Sequence, residues 1–193
     1  MHARHFEMLL QTLSGRTASD LDLRFRELRK MRMLPTGGRG RHAPDIDAEQ
    51  ASTILIGVAG ASRASEAARA VLDFAPLREI GPAGDTFGEA LATLLGDVDL
   101  AGAVNCVRLC HTNLIAEIEY DGAHPTRRFF READIPKILE VGEGGVKAFG
   151  TTGILDQAVI GGALIHQFAF DLGHEDDEGA EWGTDAKGAA DEA

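Results

Sequence analysis

The chain has 193 residues, of which 44% are hydrophobic, and a formal net charge of −12. This length and composition are typical of one medium or two small globular domains with a hydrophobic core. No run approaches the roughly 18 apolar residues of a membrane-spanning helix, polar residues near the N-terminus argue against a secretory signal, and two cysteines exclude a disulfide scaffold. We therefore expect a cytoplasmic protein.

The charge is distributed very unevenly along the chain. Residues 1–43 carry a net charge of +5, whereas residues 44–193 carry −17. Within the second part, residues 171–193 contain nine acidic residues and one lysine among many glycines and alanines. This composition predicts a disordered acidic tail, and the basic N-terminal segment is the part of the chain that suits a polyanionic partner.

Two amphipathic helices are predicted at the N-terminus. Apolar residues at helical spacing indicate a first helix that ends at Ser14 and Gly15. Thr17 and Ser19 are the candidate N-caps of a second helix, predicted over residues 19–34 and ending before Pro35. Its apolar stripe consists of Leu21, Phe25, Leu28 and Met31. Its opposite face is strongly cationic, and Arg24 and Arg32 lie closer to the apolar side.

A basic loop and two further helices follow. Residues 35–44 combine glycines and arginines, which predicts an exposed loop or short wing. Asp47 is positioned to cap a third helix with Gln50 at the capping-box position, and Ser62 to cap a fourth helix that closes the bundle near Phe74.

The second part of the chain predicts a small antiparallel sheet with helices. Residues 76–84 resemble a linker, and Thr86 opens a predicted helix that ends near Leu95. Strand-like runs cover residues 103–110, 114–120 and 126–130. A glycine-rich loop over 142–153 precedes a final apolar helix predicted over 154–170.

The basic helix and the arginine-rich loop together suggest a DNA interface. Such a helix would lie in the major groove and the loop on flanking phosphates or in the minor groove. Ser19, Asp22 and Arg26 would reach base edges, although Asp22 is an unfavourable neighbour for a phosphate. The candidate DNA-binding residues are Ser19, Arg24, Arg26, Arg29, Lys30, Arg32, Arg39 and Arg41. The alternative interpretation is a solvated cationic face on an ordinary helix.

The same residues carry a resemblance to a family. Leu28 through Pro35, the segment Gly37-Gly38-Arg39-Gly40-Arg41-His42-Ala43-Pro44, and the Asp47-capped helix follow one another in this order. This order resembles the N-terminal helix-turn-helix module of small phage, prophage and gene-transfer-agent-like proteins of bacteria. The resemblance covers about a third of the chain and implies a DNA-associated, regulatory role.

Three other motifs in the sequence do not indicate a metal, phosphate-binding or catalytic site. Cys106, Cys110, His111 and His124 contain possible zinc ligands, but their spacing does not complete a four-ligand set, so no metal site is predicted. The segment 142–147 lacks the Gly-Lys-Ser/Thr of a phosphate loop, and His166 has no nucleophile that can be argued to lie nearby. We expect neither a catalytic site nor a cofactor.

These observations predict an α+β protein with a helical DNA-binding domain over residues 1–75, a small α+β domain over 84–170, and the acidic tail over 171–193. The predicted function is that of a phage or prophage transcriptional regulator that binds double-stranded DNA, as a homodimer if the operator is symmetric. The alternative is a non-enzymatic phage accessory or assembly protein whose basic head binds a protein partner.

Overall fold

The computed structural model describes residues 1, 3–36, 45–80, 84–122, 124–141 and 156–174. The first two helices are α1 (Ala3–Ser14) and α2 (Ala18–Lys30). α1 ends because Gly15 adopts a positive φ of 65°. α2 begins after Thr17, whose hydroxyl accepts a hydrogen bond of 3.2 Å from the Asp20 N–H. Of the two N-cap candidates, Thr17 is therefore the cap.

α2 ends four residues earlier than the sequence predicts. The N–H of Arg32 donates to the carbonyl of Arg29 at 2.9 Å, and the N–H of Met33 donates to the carbonyl of Leu28 at 3.0 Å. Arg32 itself has a φ of 59°. These contacts form a Schellman motif, in which a left-handed residue satisfies the last carbonyls of a helix and turns the chain away. Arg32 occupies the position that glycine usually takes, so the sequence gives no signal for this end.

The helical region continues with α3 (Ala48–Ala59) and α4 (Ala67–Phe74). The predicted cap of α3 is confirmed, since the Gln50 N–H donates to Asp47 Oδ1 at 2.8 Å. The predicted Ser62 cap of the fourth helix is wrong. A 3₁₀ turn, Ala64–Glu66, precedes α4, and the carboxylate of Glu66 accepts the N–H of Arg63 at 3.2 Å.

The predicted linker contains a short strand, β1 (Arg78–Glu79), and leads into α5 (Phe87–Leu95) and α6 (Val98–Gly102). A capping box begins α5, because Thr86 and Glu89 each accept the other's backbone N–H. The helix expected after Thr86 is confirmed, whereas β1 and α6 are too short to show a periodic pattern.

Among the described residues, the sheet has five antiparallel strands in the order β1-β4-β3-β2-β5. The three predicted strands are confirmed, with slightly different ends, as β2 (Val104–Cys110), β3 (Ile115–Tyr120) and β4 (Arg127–Phe130). A further helix, α7 (Ile135–Val141), follows them, and its Ile138 packs on the outer face of the sheet with Cys110, Ile115 and Phe130.

The predicted final helix over 154–170 is wrong in its first part. Its residues form β5 (Gln157–Gly161), which pairs with β2, and then α8 (Gly162–Gly173). The chain changes from strand to helix at Gly162, where an added Cβ would lie 1.7 Å from the carbonyl oxygen of Val104. Because α8 runs to Gly173, it also includes the start of the predicted tail. Residues 175–193 and the segment predicted as a glycine-rich loop, 142–153, lie outside the described residues.

The helical region and the sheet share one hydrophobic cluster, so the fold is α+β, as expected. The ring of Phe6 in α1 packs against that of Phe168 in α8, with centroids 4.7 Å apart. The hydroxyl of Ser52 in α3 donates to the carbonyl of Gly88 in α5 at 2.9 Å. The division into domains at residues 75 and 84 stays a prediction, and these contacts join the two parts across it.

Candidate nucleic-acid interface

The predicted interface begins at the connection between α1 and α2. Three residues, 15–17, join the helices, and the first is the glycine with positive φ. A turn of three or four residues that contains glycine is typical of a helix-turn-helix. Arg16 in this turn contacts Asp20 at 3.3 Å, so the start of α2 is tied to the turn by a side chain as well as by the Thr17 cap.

Arg24 is buried and does not belong to the exposed surface. The prediction that it contacts DNA is therefore wrong. The residue is 0% exposed. Its Nε donates to Asp20 Oδ2 at 2.8 Å, and its Nη1 donates to the carbonyls of Gly57 and Ala61 at 3.2 and 3.0 Å. These carbonyls lie at the C-terminal end of α3, where a cation is favoured. Arg24 therefore fixes α2 on α3.

The exposed face of α2 carries Ser19, Leu23, Arg26 and Lys30, spaced along one line of the helix. Arg26 pairs with Asp22 at 2.6 Å, and both side chains are more than half exposed. Lys30 lies 3.6 Å from Glu27. The face is therefore more nearly balanced in charge than its arginines alone suggest. Since these pairs are exposed, their net stabilisation is small, and a phosphate can replace the carboxylate partner.

Arg29 lies at the side of α2 that faces α1. Its guanidinium is 3.8 Å from Glu7 and lies over the ring of Phe25, 5.6 Å from the centroid. Burial raises the pKa of Glu7, although the charge of Arg29 lowers it. Arg29 is thus a candidate contact at the edge of the surface, with part of its side chain committed to the packing of α1 against α2.

The remaining predicted contacts lie beyond the end of α2. Arg32 is exposed at its left-handed position. Arg39 and Arg41 lie outside the described residues, which stop at Thr36 and resume at Asp45. Soon after the gap, the N–H of Ile46 donates to the carbonyl of Met1 at 2.7 Å, which brings the chain back to the N-terminus.

Two exposed apolar residues of α1 and α2 are not among the contacts that the sequence predicts. Met8 of α1 is 63% exposed and Leu23 of α2 is 49% exposed. Met8 borders a cleft of about 290 Å³ between the two helices. The signal in the sequence for Leu23 is its helical spacing with Ser19, Arg26 and Lys30, which places it on the same face as these polar residues.

Titratable groups of the sheet form ion pairs and hydrogen bonds. Among the described residues, no group of three or more His, Cys, Asp or Glu side chains is arranged to hold a metal ion. Cys106 and Cys110 are free thiols, and burial raises the pKa of Cys106. On the outer face of the sheet, Glu119 accepts hydrogen bonds from Arg108 and Asn105, and the charge of Arg108 lowers the Glu119 pKa.

Comparison with known proteins adds no relative. No protein-family model matches the chain, no curated protein matches it, and no solved structure matches it. The resemblance of the N-terminal module to phage and prophage proteins therefore stays a prediction. Within the described part of the chain, no helix has both the length and the apolar character that crossing a membrane requires.

Proposed function

We propose that the chain binds double-stranded DNA and acts as a transcriptional regulator of a phage or prophage, with α2 in the major groove. The observation that carries this proposal is the exposed line of Ser19, Leu23, Arg26 and Lys30 on a helix held in place by Arg24. A recognition helix needs both properties, because base contacts require side chains that project from a rigid support.

The acidic partners on α2 do not prevent such binding, but they change its energetics. Asp22 is half exposed, so Arg26 can leave it for a base edge or a phosphate. Each such exchange releases a carboxylate into the negative potential of DNA, which costs affinity. We therefore expect much of the phosphate contact to come from Lys30 and Arg32, and from Arg39 and Arg41 of the predicted basic loop.

The regulator would act in the cytoplasm and as a dimer, because a symmetric operator presents two half-sites to two recognition helices. This part of the proposal is supported by general geometry and by the sequence. It requires neither an active site nor a cofactor.

The test is a mobility-shift experiment on the full chain with random duplex DNA and with duplexes selected from a random library, over a series of salt concentrations. The full chain is used because α1 and α3 pack against α8 and α5. We expect binding that weakens steeply with salt. Arg39→Ala with Arg41→Ala should weaken binding to all sequences, whereas Arg26→Ala should reduce discrimination by roughly 1–3 kcal/mol. No binding at low salt would overturn the proposal.

A second candidate is a non-enzymatic accessory or assembly protein that binds a protein partner. One observation that favours it is the pairing of Arg26 with Asp22, which leaves the exposed face of α2 nearly balanced in charge. The others are the exposure of Leu23 on this face and of Met8 beside the cleft between α1 and α2. Exposed apolar residues within a charged rim are typical of protein interfaces. This candidate would be favoured if the chain did not bind DNA and if a Met8→Lys variant lost binding to a protein partner that the wild-type chain binds.

A further inference from the structure

Strand β5 lies at one edge of the sheet. In the strand order β1-β4-β3-β2-β5, β2 is the partner of β5 among the described residues. Val159, at the centre of β5, is opposite Arg108 of β2 and is 57% exposed. The other side of β5 therefore presents backbone groups and an apolar side chain to whatever lies beside it.

The register shows which peptide groups point outward. The N–H of His111 donates to the carbonyl of Asp156 at 2.8 Å, at the end of the ladder between β2 and β5. Hydrogen-bonded pairs alternate along an antiparallel ladder, so Ala158 and Ile160 are the residues of β5 that bond to β2. The N–H and C=O of Val159 consequently point away from β2, towards the open edge.

The two edges of the sheet differ in how they are protected. β1 is two residues long, both are charged, and Arg78 bridges to Thr86. Short length and charge are the usual protection of an edge strand. β5 has five residues, Gln157–Gly161, with no charge and no proline. An unprotected edge of this kind is suited to pairing with another strand.

We propose that β5 pairs antiparallel with β5 of a second copy of this chain, about a two-fold axis at Val159. In this register Val159 pairs with itself, Gln157 with Gly161, and Ala158 with Ile160. The two Val159 side chains meet on the outer face and cover each other. The result is a continuous ten-stranded sheet across the dimer.

The charges near β5 are compatible with this register. Asp156 lies opposite Gly162 of the partner, so the acidic side chains do not face each other. The two copies of Arg108 are separated by three strand spacings, about 14 Å, which exceeds the screening length at physiological ionic strength. A second copy of β5 therefore fits this edge without electrostatic repulsion, and it is the occupant that we propose. A strand of a different protein is the competing occupant.

This inference rests on the dimer of the proposed function and names β5 as its interface. Its test contains no DNA, so a failed DNA-binding experiment would not contradict it. Sedimentation equilibrium compares the wild-type chain with Val159→Lys and with the matched control Leu139→Lys, which places the same charge on an exposed apolar position of α7. We expect the wild-type chain and the Leu139→Lys control to form dimers with similar dissociation constants, and the dissociation constant of Val159→Lys to be at least tenfold larger. A monomeric wild type, or a dimer that tolerates Val159→Lys, overturns the proposal.

A cross-linking experiment covers the case in which Val159→Lys fails to fold. In the proposed register Val159 and its copy form a hydrogen-bonded antiparallel pair. The Cα atoms of such a pair are about 5.5 Å apart, within the range of a disulfide. Under mild oxidation, Val159→Cys should therefore give a covalent dimer that the Leu139→Cys control and the wild-type chain, with its two buried cysteines, do not. Equal cross-linking of Val159→Cys and Leu139→Cys, or capture of Val159→Cys by another protein instead, contradicts the proposal.

Discussion

Asp20 accepts a hydrogen bond of 2.8 Å from Arg24 Nε, and this contact joins the first turn of α2 to the interior. The Arg24 side chain is 1% exposed and that of Asp20 is 31% exposed. The Nη2 atom of Arg24 has no hydrogen-bond partner among the described residues. The guanidinium therefore depends on Asp20 and on the carbonyls at the end of α3 to compensate for the loss of water.

Arg24→Met should lower the free energy of unfolding by about 2–4 kcal/mol, because it leaves the carbonyls of Gly57 and Ala61 buried without their donor. Urea denaturation measures the change. The matched control is Arg26→Met, which removes the exposed pair with Asp22 and should cost less than about 1 kcal/mol. Equal effects of the two substitutions would show that Arg24 does not support the fold.

The stability of the protein should also depend on the ionisation of Asp20. The hydrogen bond from Arg24 lowers the pKa of this carboxyl below its usual value of 3.8. Its stabilising contribution is therefore fully present above that value and is lost as the pH falls through the lower, folded pKa. We expect Asp20→Asn and Arg24→Met each to show a smaller loss of stability than the wild type between pH 5 and pH 2. Parallel pH profiles for all three proteins would contradict this assignment.

The elements that the sequence predicts correctly are those whose determining interactions are local. The caps at Thr17, Asp47 and Thr86 involve partners three residues away, so their patterns are visible in the sequence. The amphipathic stripe of α2 likewise placed Leu21 and Phe25 in the core. These features account for the correctly predicted starts of α2, α3 and α5.

The features that the sequence predicts wrongly are those that depend on residues far away along the chain. A helical wheel places Arg24 beside the apolar stripe, but the acceptors that allow its burial, including Gly57 and Ala61, lie more than thirty residues away. The run that begins at residue 154 is apolar enough for a buried helix. Residues Gln157–Gly161 nevertheless form a strand, because they pair with β2. Short apolar runs do not distinguish the two structures, because packing against a partner selects between them.

Gly162→Ala tests the point at which β5 becomes α8. An added Cβ would lie 1.7 Å from the carbonyl oxygen of Val104, so the backbone must move to accommodate it. We expect a loss of about 3 kcal/mol or more in the free energy of unfolding, or failure to fold. The neighbouring Gly161→Ala is the control, since nothing lies within 4 Å of its added Cβ. Comparable stability of both variants in urea denaturation would show that the close approach is absent.

Arg32→Gly separates stability from binding at the end of α2. A left-handed conformation costs an arginine roughly 1 kcal/mol more than a glycine, so the substitution should raise the free energy of unfolding by about that amount. If Arg32 contacts a phosphate, the same variant should bind DNA more weakly at every sequence and lower the salt slope by about one. Arg32→Lys is the control, because it keeps both the charge and the strain. Unchanged stability of Arg32→Gly would argue against the Schellman end, and unchanged binding against the contact.

Asp22→Asn distinguishes a DNA-binding role of α2 from an ordinary solvated cationic face, because the two interpretations predict different effects of this substitution on DNA affinity. Asp22 holds Arg26 at 2.6 Å on the exposed face of α2, so its neutralisation both frees the guanidinium and removes a charge that repels phosphate. If α2 lies in the major groove, affinity for duplex DNA should rise about threefold to tenfold at low salt, and the gain should shrink as salt screens the charges.

Asp73→Asn is the matched control for this increase. Asp73 pairs with Arg69 on α4 at 2.8 Å, with the same spacing of four residues, so it makes the same change in net charge on a different helix. A general effect of reduced acidity would raise the affinity of both variants equally, because it acts through net charge alone. A gain confined to Asp22→Asn places the DNA at α2, whereas equal gains, or none, in fluorescence-anisotropy titrations at two salt concentrations would assign the binding surface elsewhere.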